Sequence, residues 1–240
     1  MFLFYRLLLA HFLADFPFQT NKIFAMKVSG IKGVLVHVGI VILVTLIIIF
    51  PYLKYIETWL ALLALGLSHI LIDHGKVLLN KQIRHDSIYF FLLDQIFHIS
   101  FLFIFYSYPE ASVPILIPSS IPIISTIYNS NKIILFLTCL IIVSYALEIF
   151  IFMLENHFCK DVSKILKRDY IGMVERCIIM SLMFINVYYI VFVPGVMIIK
   201  NILTKNILKQ NSNTNIFRII SGPVLTIIIT YLFLYLAITR

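Results

Sequence analysis

Residues 58–80, TWLALLALGLSHILIDHGKVLLN, form an apolar run that contains a histidine and an aspartate four residues apart, His69 and Asp73. A helix of this length crosses the hydrocarbon core of a bilayer, which needs about 20 apolar residues. Residues four apart lie on one face of a helix, and ionisable side chains inside a membrane need partners. The stretch therefore predicts a membrane-spanning helix with a polar pair on one face.

Similar apolar runs lie on both sides of this segment. They predict an all-α, polytopic helical membrane protein with six or seven membrane segments in one bundle. We expect a single membrane-embedded domain over residues 1–240, with a four-helix half at 1–107, a Pro-rich loop at 108–131 and C-terminal helices at 132–240. The other predicted segments are 1–18, 33–53, 87–107, 132–154, 171–193 and 216–238.

The composition excludes a soluble globular domain, because 61% of the residues are hydrophobic and only 12% are charged, against about a quarter charged in soluble domains. The net charge of +8 does not indicate a nucleic-acid partner, since the Lys and Arg residues lie between the apolar runs, where membrane topology places them. The cysteines, Cys139, Cys159 and Cys177, have no spacing typical of a disulfide framework or a thiolate zinc site.

The basic connections predict the orientation of the first five helices. Connections 22–32, 76–84 and 160–168 are rich in Lys and Arg and are expected on the cytoplasmic side. A simple crossing at 171–193 would leave the basic residues that follow it on the opposite side. We therefore predict a re-entrant turn at Pro194-Gly195 that returns the chain to the cytoplasmic side.

Three predicted helices carry a histidine and an aspartate at a spacing of four. If the 7 His and 11 acidic residues were scattered at random over the 240 positions, roughly 0.6 such pairs would be expected at the spacing of helix neighbours. Four occur, of which one, His157 with Asp161, lies in a charged connection and is set aside. The remaining pairs and a lone histidine in the second helix give seven candidate metal ligands: His11, Asp15, His37, His69, Asp73, Asp94 and His98.

This set is typical of a metal site built between the helices of a bundle. Imidazole and carboxylate ligands without thiolate favour zinc, with manganese or iron as alternatives, and seven ligands are enough for one or two ions. Asp94 and Asp15 are the candidate catalytic carboxylates. Two alternatives remain open, since each pair is also satisfied by a hydrogen bond within its own helix, and chains of His and Asp also form proton relays.

Further polar residues lie near the candidate ligands along the chain. Gln19 and Gln95 are candidates to orient a ligand or a water molecule. Lys22 and Lys76 would either bind a phosphate or extend to lipid headgroups. Glu175 and Arg176, at the start of a later apolar run, would form either a helix-end ion pair or a clamp that reaches the site.

The whole pattern resembles a bacterial membrane family catalogued as domain of unknown function 3307, and it is similar to membrane-bound metal-dependent hydrolases. The resemblance rests on His11-x-x-x-Asp15 with Phe18-Gln19, His37, His69-x-x-x-Asp73 with Lys76, Asp94-Gln95-x-x-His98 and Ile171-Gly172-x-x-Glu175-Arg176. Those hydrolases in turn resemble the superfamily of zinc phospholipase C and single-strand nucleases. The resemblance implies phosphoester hydrolysis in a bacterial inner (cytoplasmic) membrane.

We therefore expect an integral membrane hydrolase that uses metal-activated water on a phosphoester of a lipid or of a membrane-proximal substrate. Membrane lipid is the expected partner. One alternative is a metal-binding or proton-coupled transporter, which would need a continuous polar path on both sides of the site. The other is a non-catalytic membrane subunit in which the metal only holds the helices together, with every coordination position filled.

Overall fold

The computed structural model describes residues 1–83, 88–107, 113–158, 168–208 and 216–238, and no strand occurs within these ranges. By contacts the chain divides into two compact units, Met1–Thr138 and Cys139–Arg240. The α-helices in the described ranges are α1 (Phe2–Asp15), α2 (Asn21–Ser29), α3 (Ile31–Ile48), α4 (Ile56–Ile83), α5 (Ile88–Leu102), α6 (Pro122–Asn129), α7 (Asn131–Ile141), α8 (Leu147–Phe158), α9 (Tyr170–Ile185), α10 (Val193–Leu208) and α11 (Ile216–Ile238).

Five helical segments of the described chain are long and apolar enough to cross a membrane. Their exposed faces carry large apolar side chains such as Leu43, Ile47 and Leu63, which suits contact with lipid. The chain is therefore consistent with an integral membrane protein. The five segments are Ile31–Ile48, Ile56–Leu79, Ile88–Phe105, Asn131–Phe158 and Phe217–Ile238.

Two predicted segments form shorter helices than expected. The 14 residues of α1 span about 21 Å at 1.5 Å per residue. The helix ends at Asp15 because Pro17 has no N–H to continue the helical hydrogen bonds. The predicted run 171–193 is interrupted at Asn186, whose backbone is extended. The Asn186 side chain accepts a hydrogen bond from the N–H of Tyr188 (3.0 Å) and so begins a separate 3₁₀ turn, Val187–Phe192.

A tight reversal joins α2 to α3. Gly30 has φ 155°, a value that side chains with a Cβ rarely adopt. Gly33 lies so close to α2 that a Cβ there would overlap the carbonyl group of Met26. The first basic connection of the sequence is therefore a helix folded back against α3, and this turns Lys27 inward, where it is buried.

The first unit has a closely packed contact between α1 and α3. Ala10 and Ala14 of α1 pack with Val41 and Val44 of α3 in one buried cluster. Small residues let two helix backbones approach closely in a membrane. This contact places the end of α1 beside the middle of α3, and α4 packs between α3 and α5.

The segment predicted as a Pro-rich loop contains a short helix, α6. The helix begins at Pro122, a position where proline is favoured because its missing N–H is not needed. The residues just before it are held by side chains, since the Asn129 amide bonds both the N–H and the carbonyl of Ile117, each at 2.9 Å. The prediction of a loop over 108–131 is thus wrong for the part that forms α6, while residues 108–112 lie outside the described ranges.

In the second unit, α9 and α10 form a helical hairpin. Lys200 of α10 lies 2.7 Å from the Glu175 carboxylate and 3.8 Å from Asp169, at the start of α9. The reversal lies at residues 186–192, whereas the sequence placed it at Pro194-Gly195. Pro194 instead lies in the first turn of α10, where proline does not break a helix.

Candidate metal centre

The seven residues singled out as ligands lie in α1, α3, α4 and α5, all within the first unit. Each is buried, with at most 7% of its surface exposed. The spacing of four brings the two members of each pair to the same helix face, and the close contact of α1 with α3 brings the first pair to the lone histidine. The structure thus gathers these side chains in the interior of one helical unit.

Asp15, His37 and His69 form the tightest group. The Nε2 atom of His37 lies 3.3 Å from Oδ1 of Asp15 and 3.4 Å from Nε2 of His69, and the His69 Nε2 to Asp15 Oδ1 distance is 3.6 Å. A tetrahedral zinc site with bonds of about 2.0–2.2 Å separates its ligand atoms by about 3.3–3.6 Å. The three atoms therefore have the spacing of one face of such a site.

Asp73 approaches the same two histidines. Its Oδ2 atom lies 3.6 Å from Nε2 of His37 and 3.5 Å from Nε2 of His69. The two imidazole nitrogens are thus flanked by one carboxylate from α1 and one from α4. We call Asp15, His37, His69 and Asp73 the central cluster.

His98 extends the central cluster towards α5. Its Nδ1 lies 2.8 Å from the carbonyl oxygen of Asp94, and this contact makes Nδ1 the donor nitrogen. Nε2 is then left with a lone pair and lies 3.8 Å from Oδ1 of Asp73. His69, Asp73 and His98 offer a second set of three ligand atoms, all within 4.8 Å of one another.

His11 and Asp94 lie at the edge of the central cluster. Nδ1 of His11 is 3.9 Å from Oδ1 of Asp15, and its Nε2 is 3.4 Å from the amide oxygen of Gln95. Oδ2 of Asp94 lies 2.8 Å from Nζ of Lys76 and accepts a weaker contact from Gln95 at 3.3 Å. Neither residue belongs to the two groups of three ligand atoms, so both are placed beside the candidate ligands.

Of the other residues singled out from the sequence in this unit, Gln19 contacts the cluster and Lys22 does not. The Gln19 amide nitrogen lies 3.3 Å from Nε2 of His37 and 3.4 Å from Nδ1. This contact suits a side chain that orients the imidazole. Lys22 is exposed on α2.

Lys27 was not singled out from the sequence, yet it contacts the central cluster. It was counted as one positive charge of a cytoplasmic connection, yet its Nζ lies 2.6 Å from Oδ1 of Asp73 and the side chain is buried. The sequence signal that bears on it is the pair of glycines at 30 and 33, which permit the fold-back of α2. Lys27 supplies a fixed positive charge to the central cluster.

Several ligand atoms of this site accept no hydrogen bond within the described residues, although they are buried. They are Oδ1 of Asp15, Oδ2 of Asp73, Oδ1 of Asp94 and Nε2 of His98. A buried acceptor without a donor costs about 1–3 kcal/mol, and more if it is charged. These inward-facing lone pairs are therefore suited to a bound cation.

Glu175 and Arg176 are occupied by ion pairs with other helices of the second unit. Glu175 pairs with Lys200 at 2.7 Å, and Arg176 pairs with Glu148 at 2.7 Å. Glu148 also lies 3.0 Å from Arg218. Glu175 thus pairs with α10, and Arg176 joins a network that links α8, α9 and α11, in place of the helix-end pair that was one of the two expectations. The other expectation, a clamp that reaches the site, stays a prediction. Glu148, the centre of the network, was not singled out from the sequence.

A comparison with protein families places the candidate ligands within one known domain. The model of the family described as "Protein of unknown function (DUF3307)" matches residues 3–124, just over half of the 240-residue chain. All seven candidate ligands and Lys27 lie inside this range. No curated protein and no solved structure matches the chain.

Proposed function

The chain belongs to the DUF3307 family of proteins of unknown function, and we propose that it is an integral membrane, metal-dependent hydrolase acting on a phosphoester of a lipid or membrane-proximal substrate. We place it in the inner membrane of a bacterium, with one or two ions in the central cluster. Zinc is the first choice, and manganese or iron is the alternative, because the donor atoms are nitrogen and oxygen.

One observation carries the proposal: the two imidazole nitrogens of His37 and His69 face each other at 3.4 Å between the carboxylates of Asp15 and Asp73. A neutral imidazole has one N–H and one lone pair, so the two rings can fill at most two of the four nitrogen–oxygen contacts with hydrogen bonds. A divalent cation among Asp15, His37 and His69 would bind the lone pairs that face it, while Asp73 belongs with His69 and His98 to the other group of ligand atoms. This supports metal binding over four independent hydrogen bonds.

The donor set supports catalysis as well as binding. Catalytic zinc sites use three protein ligands and leave one position for water or substrate, whereas structural sites are closed by four. Asp15, His37 and His69 provide three ligand atoms at tetrahedral spacing. An ion held by these residues would supply Lewis-acid chemistry, polarising a water molecule and offsetting the negative charge of the phosphate oxygens.

The remaining residues have separate roles around that centre. Asp94, at the edge of the cluster, holds or accepts a proton as general base, and Asp15 is the second candidate for this role. Lys76 lies beside Asp94 and Lys27 beside Asp73, and at these positions their ammonium groups would offset part of the charge of a phosphate bound at the site. Gln19 keeps the His37 ring in orientation.

The experiment measures metal content and hydrolysis on the same detergent-purified protein. We expect about one or two equivalents of zinc or manganese, and phosphate release from p-nitrophenyl phosphate or from lipid phosphates that a chelator stops and added zinc restores. The matched control is H157A, which removes a histidine at the exposed end of α8 and should change neither quantity.

Two results would overturn the proposal. Protein without bound metal that neither binds zinc nor gains stability from it would exclude the metal site. Metal-loaded protein that turns over none of a broad panel of phosphoesters would leave the structural-metal or transport alternative in place of the hydrolase.

A further inference from the structure

A groove of about 420 Å³ runs between α4 and α5, within the range of about 300–1,000 Å³ of small-molecule sites. Its walls are almost entirely apolar, and Leu71, Leu79, Leu93 and Phe97 are among the residues that line it. These side chains are also exposed in part or in full on the outer face of the two helices. The groove therefore opens towards the surrounding lipid.

The groove is long and carries its charges near one end. Its lining extends from Ser68 to Leu79 on α4, a distance of about 16 Å along a helix. Lys76 and Asp94 line it together and pair at 2.8 Å. From this pair, an apolar channel continues along both helices as far as Ser68 and Phe101.

The charged end of the groove adjoins the candidate metal centre. Oδ1 of Asp94 lies 3.7 Å from Nδ1 of His98, and Nε2 of His98 lies 3.8 Å from Asp73. Asp94 thus forms part of the groove wall on one side and lies beside His98 on the other. A phosphate held at Lys76 would lie one residue away from the candidate ligands.

We propose that this groove binds one hydrocarbon chain of an anionic lipid, with the lipid phosphate against Lys76. This inference rests on the proposed function and assigns its substrate class: a lipid phosphate that enters laterally from the bilayer. Hydrogen-bonding capacity and shape identify the occupant. The Lys76 ammonium has three N–H donors, of which Asp94 accepts one at 2.8 Å, so the others can bind the phosphate oxygens of a lipid whose hydrocarbon chain matches the apolar length of the groove. The hydrocarbon chain of the lipid gains no hydrophobic free energy when it moves from the bilayer into the groove. The charge and the shape of the groove therefore provide the selectivity.

Gly75 gives a direct means to block the groove. It lines the groove beside Lys76, and a Cβ at this position would have no heavy atom within 4 Å. A leucine there fills the open space without a clash in the helix. Gly39 of α3 is the matched control, because a Cβ there also meets open space and the residue is not part of the groove lining.

The test uses the metal-loaded full-length protein in phosphatidylcholine nanodiscs with a trace of photoactivatable phosphatidic acid. We expect crosslinks on residues 68–79 and 90–101, reduced in G75L and in K76Q to the level obtained with a photoactivatable phosphatidylcholine, and unchanged in G39L. K76Q keeps the shape of the groove, so it tests the site even if G75L folds poorly. Equal crosslinking of both lipids, or crosslinking in G75L and K76Q equal to wild type, would overturn the inference.

A second readout separates this inference from the proposed function. The ratio of phosphatidic acid turnover to turnover of water-soluble p-nitrophenyl phosphate should fall in G75L and stay at the wild-type value in G39L. If G75L hydrolyses phosphatidic acid and p-nitrophenyl phosphate in the same ratio as the wild type, the groove assignment is wrong and the hydrolase stands. If the groove is crosslinked selectively but no phosphoester is hydrolysed, the lipid site is supported and the hydrolase is wrong.

Discussion

The Nε2 atoms of His37 and His69 lie 3.4 Å apart in the buried interior of the first unit. Each is also within 3.6 Å of a carboxylate oxygen of Asp15 and of Asp73. Two nitrogens and two oxygens at this spacing require a proton or a metal ion between them, since lone pairs that face each other repel. A bound metal ion and a shared proton give different results in the experiments that follow.

The double variant H69A/D73A should lose the metal and part of the thermal stability. It removes the histidine and the carboxylate that α4 contributes to the central cluster. A metal that binds only the folded state stabilises it by about 2.7 kcal/mol when the metal concentration is a hundred times the Kd. Elemental analysis and thermal unfolding with and without chelator measure both effects. H157A serves as control, and a double variant that retains the wild-type metal content would contradict the assignment.

D94N should abolish turnover and leave the metal in place. Asp94 lies outside both groups of candidate ligand atoms, and removal of a general base lowers the rate by about 10²–10⁴-fold. The measurement is kcat together with metal content on one preparation. Loss of metal in D94N would make Asp94 a ligand, and unchanged turnover would exclude it as the base.

K27M should destabilise the metal-free protein more than the metal-loaded protein. The Lys27–Asp73 pair is buried at 2.6 Å, and removal of one partner of such a pair costs about 3–5 kcal/mol. A metal on Asp73 compensates the carboxylate charge and reduces that cost. Unfolding of K27M, D73N and the double variant, each with and without chelator, gives the coupling between the two residues. A coupling that is the same in both states would mean that the metal does not touch Asp73.

The features that depend on a single helix could be predicted from the sequence. A spacing of four places His69 and Asp73 on one face wherever that helix packs, and an ionisable pair inside an apolar run must face the protein interior. These two facts do not depend on the tertiary structure, which is why the burial of these residues and the presence of helices long and apolar enough to cross a membrane could be predicted from the sequence.

The remainder depends on contacts between distant residues. Lys27 reaches Asp73 only because Gly30 and Gly33 let α2 fold back, and a positive charge between two apolar runs gives no sign of that. In the same way, Arg176 pairs with Glu148 on α8. Because this partner is distant in the sequence, no pattern around residue 176 specifies it. The break at Asn186 lies inside an apolar run, where hydropathy does not mark a helix end.

G33A should destabilise the protein, and G39A should not. The added Cβ at Gly33 would overlap the Met26 carbonyl, while at Gly39 it meets open space. Overpacking costs about 1–3 kcal/mol, whereas alanine in place of a helix-interior glycine is favourable by about 0.5–1 kcal/mol. Thermal unfolding compares the two. Equal stability of G33A and G39A would contradict the close approach of α2 to α3.

X-ray absorption at the metal edge of the detergent-purified protein tests the central claim most directly. We predict a first shell of nitrogen and oxygen at about 2.0–2.2 Å, with the outer-shell scattering of imidazole and no sulfur near about 2.3 Å. H69A/D73A should lose this spectrum, and H157A should keep it. A sulfur shell, or wild-type protein that contains no metal and binds none when zinc is added, would contradict a metal centre at His37, His69, Asp15 and Asp73.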